Sequence, residues 1–192
     1  IEAQGLKVDL LVNNAGYGVS GFFASQPWEK HADFLQVLVT SAAHLTHLCL
    51  PGMMARGFGY IINVASLAGL LPGGPGHTLY GAAKSFLIKF SESLAPEVRR
   101  KNVYVTAVCP GFTYSEFHDV LGNREQVSQL PKWLWMDADK VARQGLNAAA
   151  RGEIVYVNGG INRAIASAFR LLPERLAQRS IQRRAARIRV QG

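Results

Sequence analysis

The stretch YIINVASLAGLLPGGPGHTLYGAAK, residues 60–84, runs from strand through loop into helix. Tyr60–Val64 is a short apolar, β-branched run, the composition of a buried strand. Residues 65–77 are rich in Gly and Pro, and helical composition resumes at Thr78 and continues to about Lys101. The spacing of four between Tyr80 and Lys84 stacks them on one helical face. A phenol beside an ammonium forms a proton-transfer unit, because the cation favours the phenolate of a group that otherwise titrates near ~10. Ser66 stands just past the strand, placed to hold a substrate oxygen against the tyrosine. Alone, Tyr-x3-Lys is also an ordinary surface pair of helices, so the flanking segments decide its meaning.

Outward from this stretch, the same alternation repeats. Val8–Val12 is a strand signal ended by Asn13-Asn14-Ala15-Gly16, and a polar loop follows to Gln26. Pro27 suits a first helical turn, and that helix runs to Arg56 with Gly57 as its stop. Val103–Val108 is a strand closed by Cys109-Pro110-Gly111. Residues 112–136 read as irregular and aromatic-rich, in the manner of a flap. Asp137–Arg151 reads as a helix, Ile154–Val157 as a last strand, and the tail from Ile161 as helix interrupted at Pro173. Strands alternating with helices predict an α/β fold, a doubly wound parallel sheet covered on both faces. Ligands of open parallel sheets bind beyond the carboxyl ends of the strands. Asn13–Gly16, Ser66 and Pro110-Gly111 each follow a strand there, so three turn-prone loops gather on one rim beside Tyr80.

Composition sets the outer bounds. The chain has 192 residues, 48% of them hydrophobic and 18% charged, which suits one globular α/β unit. It begins at Ile1 inside what reads as a helix-to-strand connection, and the expectation is a fragment. No signal peptide or apolar run near ~18 residues is evident. Cys49 and Cys109 lie far apart in apolar stretches and read as reduced thiols. His31, His44, His47, His77 and His118 form no recognisable ligand set, and no metal site is expected. The net charge of +8 is concentrated at the end. Eight arginines (163, 170, 175, 179, 183, 184, 187 and 189) face one acid, Glu174, in residues 161–192. The expected division is therefore residues 1–160 as the sheet-bearing part and 161–192 as a basic amphipathic tail. Ala177, Ile181, Ala185 and Ile188 make one narrow apolar stripe on it. That stripe leaves open an anionic membrane surface, a partner subunit or a plain cover helix. Nucleic acid is not expected, since no aromatics interleave the arginines.

With these residues placed, the chain resembles the short-chain dehydrogenase/reductase family, closest to its bacterial members of broad or undefined substrate. The resemblance spans Val8 to Val157. It rests on NNAG at Asn13–Gly16, the serine of NVASLAG, YxxxK at Tyr80–Lys84 and CPGFTYSEF at Cys109–Phe117. It implies a Rossmann-like fold lacking its first βαβαβ half, the present strands matching the fourth to seventh. It implies NAD(P) as cofactor, NADPH slightly preferred, and Tyr80, Lys84 and Ser66 as catalytic residues. Tyr80 would be the acid and base. Lys84 would lower the phenol's pKa and hold the nicotinamide ribose, and Ser66 would polarise the substrate oxygen. Asn14, Ala15 and Gly16 would lie near the adenosine portion, and Pro110, Gly111, Thr113 and Ser115 near the nicotinamide amide. For Gly16 and Gly111, close approach of backbone to a flat cofactor and simple turn punctuation both stand.

Three departures accompany the resemblance. No GxxxGxG opens a helix after an early strand, so the pyrophosphate cradle is not in this sequence. Leu38 occupies the position where many members carry a relay asparagine. Ser66 and Tyr80 are one residue further apart than expected, an excess that Gly73-Gly74-Pro75-Gly76 would absorb. The implied function is an NAD(P)-dependent oxidoreductase acting between a ketone and a secondary alcohol, cytoplasmic, homo-oligomeric, with a small apolar substrate. Phe112, Phe117, Trp133, Leu134 and Trp135 would contact that substrate or pack in the core. The isolated chain is expected to show little activity. The rival reading is a non-catalytic dinucleotide-fold protein acting in subunit assembly. Peripheral contact with the inner face of the membrane through residues 174–190 is the accompanying option for the tail.

Overall fold

The structure is a computed structural model that describes residues 4–76, 78–117 and 127–188, with side chains as far as Ile181. Its centre is a four-stranded, all-parallel sheet in the order β1 (Leu10–Asn13), β2 (Gly59–Val64), β3 (Val103–Cys109), β6 (Val155–Val157). Leu10 pairs with Tyr60, Asn13 with Asn63, and Val64 with Val108, so the strand ends and the loops beyond them lie level. The expected alternation is present, with β1 starting two residues later and ending one later than Val8–Val12.

Helices cover both faces. The first long helical run is α1 (Trp28–Leu35), a π-helical turn (Gln36–Thr40) and α2 (Ser41–Arg56), stopped by Gly57 in a left-handed cap with φ 66°. With α3 (Thr78–Val98) it forms one layer. Met53, Ile61, Leu94, Val98, Val103 and Val105 make one core there, and Ala42, Ala65, Leu87, Ile88, Ala107 and Cys109 a second. The opposite face packs Ile62 and Val108 on Ala149 of α4 (Ala138–Ala150). Burial of such side chains, each contributing roughly 1.5–3 kcal/mol, is what holds helix to sheet.

The structure differs from expectation in three places. The run Trp28–Arg56 is, by length and composition, long and apolar enough to cross a membrane, against the expectation of no such segment. Its apolarity serves two faces, with Phe34, Leu38, Ala42 and Met53 buried while Leu45 and Leu48 stay exposed. Residues 112–136 are not wholly irregular, since β4 (Phe112–Tyr114) pairs in parallel with β5 (Trp135–Asp137). Aromatic stacking explains that small sheet, Tyr114 and Phe112 lying 4.9 and 5.4 Å from the Trp135 ring. Residues 118–126 of the proposed flap lie outside the described residues.

In the tail, α5 (Gly160–Leu171) and α6 (Glu174–Ile188) flank Pro173. The apolar stripe of α6 is partly used within the chain. Ala177 is buried, and Ile181 Cγ2 stands 2.9 Å from where a Cβ on Gly74 would lie. The helix therefore packs on the Gly73–Gly76 loop, which leaves less apolar width for a membrane than the sequence suggested. The side chains of Ala185 and Ile188 lie outside the described residues.

Candidate active site

Ser66 ends the extended segment after β2, with φ −167°, and caps the 3-10 turn Leu67–Gly69 by accepting a hydrogen bond from the Ala68 N–H at 3.1 Å. That cap fixes the hydroxyl's position. The turn itself is pinned from two sides. Leu67 N–H donates to the Pro110 carbonyl at 2.8 Å, tying the loop after β2 to the loop after β3. Gly69 lies flat on α3, where a Cβ would come within 2.7 Å of the Lys84 backbone carbonyl carbon. Glycine is required there because the obstacle is main chain.

Tyr80 projects from the first turn of α3 toward Ser66. Burial pushes its phenol above the ordinary tyrosine range, and a hydrogen bond with the Ser66 hydroxyl pulls the other way. The Phe117 ring lies 5.5 Å from the Tyr80 ring. Lys84, only 5% exposed, donates from Nζ to the Val64 carbonyl at 2.7 Å and sits 5.7 Å from the centre of the Tyr80 ring. Burial lowers its pKa to about 8, against a smaller opposing influence from Cys109. The expected arrangement, in which the lysine lowers the phenol's pKa, differs from the observed one. Desolvation outweighs the cation, and the downward pull comes from Ser66.

The loop residues divide. Asn14, Ala15 and Gly16 are exposed at the end of β1, and a Cβ on Gly16 would stand 3.7 Å from Lys84 Nζ and 3.5 Å from Leu38 Cγ. NNAG and the lysine thus share one groove. Gly111 has a different neighbour from the one expected. A Cβ there would fall 2.6 Å from Asn162 Nδ2, so its close approach is to a buried asparagine of α5 rather than to a cofactor. Pro110 and Gly111 are half-buried. Thr113 is occupied in donating to the Gly111 carbonyl at 3.1 Å, and the exposed Ser115 accepts from the Phe117 N–H at 3.4 Å. Leu38 is 1% exposed at the middle of the π-helical turn, packed with Phe34 and Ala83. Among the aromatics, Phe112 and Trp135 pack on each other, Phe117 meets Tyr80, and Trp133 is 61% exposed.

Sequence reasoning missed the polar scaffold beneath the rim. Asn13 Nδ2 donates to Asn63 Oδ1 at 2.7 Å and to Thr46 Oγ1 at 3.1 Å, and Asn63 Nδ2 donates to Ser91 Oγ at 2.8 Å. Each is buried, and the chain of bonds ties β1, β2, α2 and α3 together. Asn162 Nδ2 donates to the Asn158 carbonyl at 2.8 Å and so fixes the start of α5. Both cysteines are free thiols, and burial pushes that of Cys109 up to about 12. Among the described residues no cluster of three His, Cys, Asp or Glu is placed to hold a metal.

The groove fits the nicotinamide-ribose side of a dinucleotide. An exposed backbone without a Cβ, a buried ammonium with donors to offer, and two hydrogen-bonded hydroxyls converge beyond the strand ends. Residues for the pyrophosphate are not in this sequence.

Comparison with known proteins agrees with this arrangement. The sequence model of the family described as "short chain dehydrogenase" matches residues 1–126. The chain is 34% identical over 163 residues to the 3-oxoacyl-[acyl-carrier-protein] reductase FabG of Haemophilus influenzae, covering 80% of this chain and 67% of that protein. Among solved structures, it resembles a short-chain dehydrogenase from Sphingobium yanoikuyae in complex with NADPH, with TM-score 0.72 and 27% identity, over 86% of this chain and 66% of that one. A short chain dehydrogenase/reductase from Burkholderia phymatum in complex with NAD gives TM-score 0.75 and 26% identity, with the same coverage of 86% and 66%. The chain thus spans about two thirds of the length of these relatives. By sequence and by fold, it belongs to the short-chain dehydrogenase family of NAD(P)-binding oxidoreductases.

Proposed function

We propose that this chain carries the chemical half of an NAD(P)-dependent oxidoreductase acting between a ketone and a secondary alcohol, with Tyr80 as acid and base. The observation that carries the reading is the Ser66–Tyr80 hydroxyl pair on the rim of a parallel sheet, with buried Lys84 beside it. A bound nicotinamide supplies the hydride in reduction and takes it up in oxidation. Tyr80 gives its proton to the carbonyl oxygen as negative charge develops there. Its raised pKa keeps the phenol protonated through the neutral range, which favours the reductive direction. Ser66, fixed by the Ala68 N–H, steadies the same oxygen. Lys84 holds the ribose through its ammonium.

The remaining assignments follow the family resemblance. Asn14, Ala15 and Gly16 lie along the adenosine portion, and Pro110, Gly111, Thr113 and Ser115 along the nicotinamide amide. The complexes of similar proteins with NADPH and with NAD support NAD(P), and a slight preference for NADPH is part of the proposal. A homo-oligomer built on the exposed Leu45–Leu48 face, working in the cytoplasm on a small apolar carbonyl, completes it.

The test is NADPH and NADH oxidation by the complete natural polypeptide with aliphatic ketones, aldehydes and 3-oxoacyl esters. Ketone-dependent turnover that falls about 10²–10⁴-fold in Ser66→Ala supports the reading. No carbonyl-dependent oxidation, or a Ser66→Ala variant as fast as the parent, contradicts it.

A further inference from the structure

His31 has no role in the chemistry above, yet it stands in the wall of the same site. It is 5% exposed on α1, and it lines a cleft of about 260 Å³ together with Val19, Phe34, Leu79 and Tyr80. Two contacts fix the ring. It stacks on Phe23 with centroids 4.5 Å apart at 18°, and its Nε2 lies 2.9 Å from the Phe23 carbonyl oxygen. A carbonyl oxygen only accepts, so Nε2 carries the hydrogen, and Nδ1 of the neutral ring is left as a lone-pair acceptor. Nδ1 is buried and has no hydrogen-bond partner. A buried acceptor without a partner is a disfavoured arrangement that a donor of matching geometry relieves. Bulk water does not reach the atom, so the donor must be a group that enters the cleft.

We infer that His31 is a specificity residue, whose Nδ1 accepts a hydrogen bond from a hydroxyl on the substrate, carried close to the carbonyl that meets Tyr80. The inference rests on the oxidoreductase reading for where the carbonyl sits. The rest of the wall explains why one acceptor is selective. Val19, Phe34 and Leu79 offer no polar side chain, so a hydroxyl entering here has few other partners. Sites that hold one hydroxyl by an otherwise unpaired buried group discriminate strongly against analogues lacking it. The substrate class is a hydroxyketone, or in the reverse direction a diol, rather than a plain ketone.

The experiment is calorimetric titration of the complete natural polypeptide, saturated with NADP, with 2-heptanone and with its 1-hydroxy, 3-hydroxy and 4-hydroxy derivatives. At least one hydroxyketone should bind about tenfold more tightly than 2-heptanone, the effect of one well-made hydrogen bond. His31→Phe keeps an aromatic ring for Phe23 and should bring that ratio to about one. His31→Asn keeps a polar atom near the Nδ1 position and should retain part of the preference. A ratio near one in the parent protein, or a preference unchanged in a natively folded His31→Phe, overturns the inference. Nitrogen NMR of the parent needs no variant. The Nδ1 resonance should move with the hydroxyketone and not with 2-heptanone, and an unmoved resonance shows a buried water or nothing at that atom, which overturns it too. The two readings fail separately. A hydroxyl preference in binding without turnover of any ketone keeps the subsite and removes the oxidoreductase reading, whereas turnover without the preference does the reverse.

Discussion

At the residue scale, the site rests on two buried groups whose proton affinities are displaced in opposite directions. Tyr80 holds its proton more firmly than free tyrosine, and Lys84 holds its proton less firmly, with a pKa of about 8. Folding therefore removes protons from Lys84 between about pH 8 and its ordinary 10.5. The unfolded chain binds more protons there, so this group makes stability rise with pH across that window, and its burial cost is fully present below it. Lys84→Met should accordingly raise stability at pH 7 by roughly 1–2 kcal/mol, the hydrogen bond to Val64 being lost against the larger desolvation relief. Urea midpoints at pH 7 and pH 10 measure this, and the advantage should shrink at the higher pH. Ser66, Tyr80 and Lys84 were legible in the sequence because a helical spacing and a strand end are local signals. The Val64 partner of Lys84 and the Asn13–Asn63–Ser91 network were not, since their members meet only when the sheet forms. The reason for Gly111 was hidden in the same way, because Asn162 arrives from a helix 51 positions later.

At the element scale, two features hold the Ser66 turn and the Tyr80 helix in register. The first is the close approach of Gly69 to the α3 backbone. Gly69→Ala should push the turn outward, cost about 1–3 kcal/mol, and lower kcat/KM by separating the two hydroxyls. Denaturant unfolding and turnover of the complete polypeptide check both effects, and an unchanged midpoint would contradict the packing argument. The second is the π-helical turn, where Leu38 fills the space between Phe34, Ala83 and the NNAG loop. Leu38→Asn would place an amide among apolar groups and should destabilise by about 2–4 kcal/mol, read from the same unfolding curves. The sequence showed the departure at Leu38 but not the π turn, which alters the backbone without altering hydrophobic periodicity. It also showed the order of strands and helices. It missed β4 and β5, whose three-residue lengths are too short for alternation to register and whose pairing depends on aromatic stacking.

At the scale of the whole molecule, the parallel sheet ends on one side at β1, where Leu10 and Val12 are 42% and 46% exposed. An uncovered apolar edge invites pairing with another chain. The 192-residue chain should therefore self-associate in sedimentation velocity, and Val12→Lys should reduce the associated fraction. The rim of the sheet, by contrast, is closed over by tied loops and by α6, and it is there that the proposed chemistry resides. The account's central claim is that the Tyr80 hydroxyl transfers the proton. The most direct measurement is the single-turnover rate of carbonyl-dependent NAD(P)H oxidation by Tyr80→Phe in the complete natural polypeptide, with native circular dichroism as the control. The account predicts a fall of about 10²–10⁴-fold with the fold intact. A Tyr80→Phe protein that turns over at the parent rate would contradict it.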